Sequence, residues 1–363
     1  MINASKLTWR STAAAVSLAG LETRQAWDRL NARGLDLPFL DSSVVLGALQ
    51  VFGSGGEQLW TGSDGADVKA MFVLARQGAL RWQTFQPSQL PLGSWVADAG
   101  LDIGELCGAL MSAMGPVLAL TLTQVDPLAA TRPADSGTSE TADYIDTGWV
   151  EIAGTFEDYW AARGKNLRQN MRKQRNRLTA DSVQASMHVL RDPTEMAGAI
   201  ERYGALESQG WKSDQGTAIH PSNAQGRFYR GLLEQAATRG EALVYEYRFD
   251  GRTVAMNLCI RRQRCLVVLK TTYDESIKTL SPAFLLREEE LQSWFRSGEF
   301  DRIEYYGKLM DWHTKLTDRK RTIYHLTRYR FGWLKSLAAG RRRRRLPAEQ
   351  SAAPAGPTET ATT

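Results

Sequence analysis

Long apolar runs are missing from this chain of 363 residues. The longest, such as Ala242 to Tyr245 and Cys265 to Leu269, are far too short to span a bilayer, so no membrane-spanning segment is expected. Met1 to Leu18 contain a small-residue stretch (Ala13, Ala14, Ala15, Val16) but are weakly hydrophobic and lack a cleavage pattern, which argues against a signal peptide. Cysteine is scarce. Cys107, Cys259 and Cys265 are an odd set without CxxC spacing, which excludes a disulfide framework and a zinc site and points to a reducing compartment, the cytoplasm. The four histidines (His188, His220, His313, His325) show no ligand spacing, so no metal is expected. There is no P-loop, no Gly-x-Gly-x-x-Gly and no Ser-His-Asp set with a recognisable elbow, which argues against kinase, dehydrogenase and hydrolase chemistry.

What is present suits an α/β protein of two domains. Hydrophobic residues make up 43% and charged residues 23%, and 11 tryptophans supply material for two cores. The net charge of +5 is concentrated. Arg163, Lys165, Arg168, Arg172, Lys173, Arg175 and Arg177 follow one another with no acidic residue between them, and Arg341 to Arg345 form a second block. Such blocks suit phosphate-bearing partners: a cofactor pyrophosphate, an acidic carrier protein, anionic lipid or RNA. Their plainer reading is a solvated helix face and a disordered tail.

Asp126 to Tyr144 are rich in Ala, Thr, Ser, Asp and Pro and read as a linker, and Leu346 to Thr363 read as disordered. Before the linker, helical patterns cover Glu22 to Arg33 and Asp41 to Phe52. Strand patterns follow near Gln58 to Thr61, Val68 to Ala75 and Leu80 to Phe85, then a helix from Asp102 to Met114 and a strand from Val117 to Thr123. After it, helices are expected over Phe156 to Thr179, Thr194 to Gln209 and Asn223 to Thr238. Strands follow at Ala242 to Tyr247, Thr253 to Ile260 and Cys265 to Thr272, with a hairpin turn at Asp250-Gly251. A helix opens at Pro282, and strands follow at Arg302 to Tyr306 and Ile323 to Tyr329. Both halves read helices, a three-stranded meander, a helix and a strand, the plan of a tandem duplication. In the helix from Leu167 to Leu178, Leu167, Met171 and Leu178 share an inward face, and Arg168, Arg172 and Arg175 share another. No aromatic residues interleave with that arginine row, which weakens a single-stranded nucleic-acid reading.

Several motifs of the second half resemble those of the BioF2-like, or cellulose-biosynthesis type, acetyltransferase family. They are Glu207-Ser208-Gln209-Gly210-Trp211-Lys212 followed by Gly216-Thr217-Ala218-Ile219, and Leu269 to Glu275 followed by Leu280-Ser281-Pro282. A strand ending at Gly307 with Lys308 or Lys315 beyond it, and the Leu167-Arg168-x-x-x-Arg172 run, complete the set. Order and spacing fit over residues 145 to 330, and Pro38-Phe39 looks like the opening of the family's first domain. The family is a branch of the GNAT superfamily related to the Fem peptidyltransferases. The resemblance implies tandem GNAT-like domains, each a mixed, mostly antiparallel sheet flanked by helices. They would occupy residues 1–125 and 145–337, with a linker at 126–144 and a basic, then disordered tail at 338–363. It implies transfer of an acyl group from a thioester, usually acetyl-CoA or a longer acyl-CoA, to an amine, such as an amino sugar in polysaccharide or cell-envelope synthesis. The family often has Ser-Pro-Gly where this chain has Ser281-Pro282-Ala283, and the glycine-rich GNAT phosphate loop is not visible.

Such a reaction needs a donor phosphate site, oxyanion donors and a proton acceptor for the amine. The helix opening at Ser281, Pro282 and Ala283 is the candidate anion site, with Arg168, Arg172 and Lys270 as further donor contacts. Backbone N–H groups of the Lys270 to Tyr273 strand are the candidate oxyanion donors, and the Tyr273 hydroxyl the candidate acid for the leaving thiolate. Glu304, Asp274 and Glu207 compete as the base. Glu207, Trp211, Lys212, His313 and Lys315 are candidate acceptor contacts. Two other readings stand beside this one. The first is an aminoacyl-tRNA-dependent transferase like the Fem proteins, although only one long basic helix is visible. The second is a non-catalytic GNAT-like scaffold, for which Ala283 and the missing phosphate loop argue. An acyl carrier protein as donor, and peripheral membrane contact through the arginine-rich tail, remain open at this point.

Overall fold

A computed structural model of the chain describes residues 4–208 and 219–349, the last nine of them by backbone alone. The first half opens with β1 (Thr8–Ala13) and the helices α1 (Ala14–Ala19), α2 (Leu21–Arg33) and α3 (Ser42–Phe52). The meander β2 (Gln58–Asp64), β3 (Asp67–Gly78) and β4 (Arg81–Thr84) follows, then a short β5 (Trp95–Ala97), α4 (Ile103–Ala113) and β6 (Ala119–Val125). A long strand, β7 (Ser139–Glu151), leads to α5 (Phe156–Ala161) and α6 (Lys165–Ala180). The second half then repeats the plan: β8 (Ala185–Leu190), α7 (Met196–Ser208), α8 (Ala224–Ala237), β9 (Ala242–Phe249), β10 (Arg252–Arg262) and β11 (Cys265–Tyr273). It continues with α9 (Pro282–Ser297), β12 (Arg302–Glu304), α10 (Asp311–Thr314), β13 (Lys320–Tyr329) and α11 (Gly332–Glu349).

Local chemistry sets these boundaries. Asp102 caps α4 by accepting from the Glu105 N–H, Thr155 caps α5 through Asp158, and Asn223 caps α8 through Gly226. Asp250 and Gly251, both at positive φ, make the tight turn between β9 and β10. The single helix expected over Phe156 to Thr179 is two, because Gly164 takes an extended conformation (φ −53°, ψ 134°) and starts α6 afresh.

The strands form one 13-stranded sheet with the order β1-β2-β3-β4-β6-β13-β7-β12-β11-β10-β9-β8, with β5 alongside β3. Within each half, only the meander's last strand pairs in parallel: β4 with β6, and β11 with β12. The centre is an exchange. β7 leaves the first half and pairs with β12, whereas β13 leaves the second half and pairs with β6. The segment 126–144 is therefore not a free linker. Ser139 to Tyr144 belong to β7, Asp126 is buried against Arg321, and the Ala130 carbonyl accepts from the Tyr324 hydroxyl. Likewise, residues 346–349 continue α11 and are not a coil.

One face of the sheet carries a core common to both halves, in which α1–α3 meet α7 and α8. Phe52 packs on Phe228 and Phe39 meets Tyr306 edge-on, with ring centroids 5.4 Å and 5.0 Å apart. The opposite face is covered by α4 in the first half and by α5, α6 and α9 in the second. Among the described residues no helix is long and apolar enough to cross a membrane.

Candidate active site

The parallel pair β11/β12 spans only Cys265–Arg302 to Val267–Glu304. β11 continues six residues further, paired with β10 on one side as far as Tyr273 and, among the described residues, with no strand on the other. This divergence opens a cleft of about 520 Å³. Its walls are Thr271 to Tyr273 of β11, the end of α7 (Leu206, Glu207), the first turns of α9, and Met310 and Trp312 beyond β12. Ser281 enters α9 in the left-handed conformation (φ 55°, ψ 45°), and Pro282 occupies the first helical position, where no N–H is needed. The Asn170 amide of α6 donates to the Ser281 hydroxyl at 3.3 Å. Lys278, exposed, stands beside this helix start on the cleft rim. A second cleft of about 380 Å³ lies across Phe284, against the start of α6 and Lys315.

The structure brings Tyr273, Ser281, Ala283 and Glu207 to the main cleft. Lys315 lines the neighbouring one, its ammonium 5.3 Å from the Phe284 ring centroid. Trp211 and Lys212 lie outside the described residues. Glu207 is buried, accepts the Ile219 N–H at 2.8 Å and lies 3.4 Å from the Tyr203 hydroxyl.

Other expected site residues are placed elsewhere. Glu304 is not in the cleft. It is buried at the junction of the halves and shares the Arg321 guanidinium with Asp126, at 2.9 Å and 2.6 Å respectively. Burial pushes its carboxyl above the usual range, with Arg321 pulling the other way. Asp274 is also committed: it caps the turn after β11 by accepting from the Ser276 N–H at 2.9 Å, and it pairs with Arg252. Lys270 points to the opposite face, its ammonium over the Tyr229 ring at 5.7 Å. Arg168 and Arg172 are exposed on α6 and line neither cleft. Arg175 leaves the expected row to bridge Glu288 and Glu289 of α9. His313 is buried, stacks on Trp312 and accepts the Met310 N–H through Nδ1 at 2.9 Å. Burial, then the nearby Arg287 charge, pull it down to about 4, so near neutral pH it is an uncharged building element.

Sequence reading missed Arg287. This α9 residue is 7% exposed and lines the cleft, with its guanidinium 3.9 Å from the Trp312 ring centroid. One turn on, Glu290 is fully enclosed and accepts twice from the Asn257 amide, at 2.7 Å and 2.8 Å. Burial raises its carboxyl to about 8, which leaves it mostly protonated near neutral pH. An arginine and a glutamate one turn apart are ordinary on a helix surface, and only the placement of α9 shows that these two face inward.

The first half has the same divergence beyond β4 and β6, but its own chain fills it. Gly93 donates to the Thr123 carbonyl at 3.2 Å, Ser94 donates to the Phe85 carbonyl at 3.0 Å, and Leu90 and Leu92 are buried beneath. Side chains lace the two strand ends: Thr84 to Thr123 at 2.7 Å and Gln124 to Gln86 at 2.9 Å. A Cβ on Gly93 would stand 2.5 Å from the Thr123 carbonyl oxygen, so this insertion requires glycine. Of the two equivalent clefts, the described residues leave only the one in the second half open.

Residues 165–330 match a family model described as an acetyltransferase (GNAT) domain. Solved structures agree in fold. The DUF2156 C-terminal domain assigned to a lysylphosphatidylglycerol synthetase from Agrobacterium fabrum is 13% identical, with TM-score 0.54 over 84% of this chain and 92% of that one. A conserved protein of unknown function from Bacteroides thetaiotaomicron is 11% identical, with TM-score 0.54 over 89% of this chain and 100% of that one. FemX is 8% identical, with TM-score 0.53 over 86% and 98%. At these identities the likeness concerns the fold alone. No curated protein matches the sequence.

Proposed function

We propose that the open cleft transfers an acyl group from a thioester, acetyl-CoA or a longer acyl-CoA, to an amine. The observation that carries this reading is the parting of β11 from β12 beside the start of α9. It offers an unpaired strand edge for an extended donor, a helix N-terminus and Lys278 for its anionic end, and the apolar Leu206, Phe284 and Met310 for the acyl group. The amine nitrogen attacks the thioester carbonyl carbon, the N–C bond forms and the C–S bond breaks. Backbone N–H groups of β11 hold the carbonyl oxygen as it gains charge. The Tyr273 hydroxyl gives its proton to the leaving sulfur, and Glu207, the one of the three proposed bases that reaches the cleft, takes the proton lost by nitrogen. In this reading the first half, its own cleft filled, is a structural partner. Membership of the BioF2-like branch, and an amino sugar or other envelope precursor as acceptor, belong to the same proposal.

The test is thermal unfolding of the purified chain with and without acetyl-CoA and a long-chain acyl-CoA, because a ligand that binds only the folded state raises the melting point. Tyr273→Phe should keep that rise and slow thiol release by about a hundredfold. No rise with either thioester, together with salt-sensitive binding of tRNA, would transfer the reading to an aminoacyl-tRNA donor.

A further inference from the structure

Arg287 has no anionic partner among the described residues. Its Nη1 donates to the Ala283 carbonyl of its own helix at 3.1 Å, and no ion pair is formed. One flat face of the guanidinium is covered by the Trp312 indole, which His313 backs from the other side. A buried guanidinium without a counter-charge is costly, and the cost is recovered when an anion arrives. Glu288 and Glu289 pair with Arg175, and Glu290, one turn on, has both oxygens engaged by Asn257. Arg287 lines the cleft with Nη1 engaged by Ala283, which leaves Nε and Nη2 as a planar fork of donors. That fork pairs bidentately with a carboxylate, as it can with a phosphate, and the donor's phosphates are assigned elsewhere.

We propose that Arg287 binds a carboxylate of the acceptor, so that the amine substrate is an amino acid or another amine bearing an acid group. The assignment of this anion to the acceptor rests on the acyl-transfer reading. The anion site itself rests on the Arg287 geometry. The donor's phosphates have a separate place on the rim, at Lys278 and the first turn of α9. Acceptors without an acid group would leave Arg287 buried and unpaired, which makes it a specificity residue.

The test uses 4-aminobutyrate and butylamine, which differ by the carboxylate, titrated by ligand-observed NMR against the full chain with coenzyme A present. The wild type should bind 4-aminobutyrate about tenfold or more tightly than butylamine. Arg287→Gln should abolish that preference while holding coenzyme A as the wild type does, and Arg287→Lys, which keeps the charge without the fork, should retain part of it. If Arg287→Gln fails to fold, the partial loss in Arg287→Lys reads the same contact. Equal binding of the two amines, or binding of neither, overturns the proposal. So does a loss of coenzyme A affinity in Arg287→Gln, because the anion would then be a donor phosphate. A carboxylate preference in a wild type that binds no coenzyme A keeps the anion site and sinks the acyl-transfer reading instead.

Discussion

Replacing Arg321 with methionine should be among the most damaging single changes in this protein. The side chain rises from β13 between Asp126, just past β6, and Glu304 of β12. Its Nη2 and Nε reach the Asp126 carboxylate at 2.6 Å and 3.0 Å, and its Nη1 reaches the two Glu304 oxygens at 2.9 Å and 3.1 Å. Both carboxylates are buried, so methionine would fill the stem and strand the Asp126 charge out of water, while Glu304 would keep only Arg302. Breaking a buried pair in this way costs about 3–5 kcal/mol. For a chain of this length that lowers the melting temperature by roughly 4–7 °C. The deficit should depend on pH. Without the guanidinium, Glu304, whose carboxyl burial already holds above its usual range, is more easily protonated in the folded state than in the unfolded one, so stability is lost as pH rises and regained as it falls. Unfolding followed by tryptophan fluorescence at about pH 5 and about pH 7.5 measures both, and the gap between variant and wild type should narrow at the lower pH. Adding Asp126→Asn and Glu304→Gln should restore most of the loss, since neutral groups need no cation. A deficit below about 1 kcal/mol, or one that ignores pH, would refute the argument, since surface pairs behave that way.

Gly93→Ala should destabilise the first half by about 1–3 kcal/mol, because the new methyl meets the Thr123 backbone oxygen; urea unfolding measures it. Glu290→Gln should raise stability at alkaline pH. The buried acid, with its folded-state value raised to about 8, favours the native state when protonated, and that advantage is lost as pH climbs from the ordinary carboxylate range through about 8. Melting temperatures of wild type and variant should therefore converge in mild acid and separate above about pH 8.

The meander of each half was legible in the sequence, because alternating apolar residues and turn signals such as Asp250-Gly251 are local. So was the start of α9, where Pro282 announces a first helical turn. The strands β1, β7 and β8 were not. Burial runs along β7 without alternation over Ser139 to Tyr144, and the composition there is that of a loop; its partners lie far away on β13 and β12. The site divides in the same way. Tyr273, Ser281, Ala283 and Glu207 come from segments whose motifs are local, and they do reach the cleft. Glu304 alternates with apolar neighbours as a cleft residue would, yet its fate was decided by Arg321 and Asp126, which no spacing near Glu304 reveals. Arg287 was hidden for the opposite reason, as a charged residue on a helix is ordinarily solvated.

The position of β13 bears on how the molecule is made. It is the last strand among the described residues, yet it sits near the middle of the sheet, hydrogen-bonded to β6 on one side and β7 on the other. During synthesis, the first half must wait with the edge of β6 uncovered until some two hundred further residues have emerged. Contacts this distant in sequence slow folding, and an uncovered strand edge invites pairing with other chains. The two halves thus cannot mature one after the other like beads on a string; the last strand to arrive completes both at once.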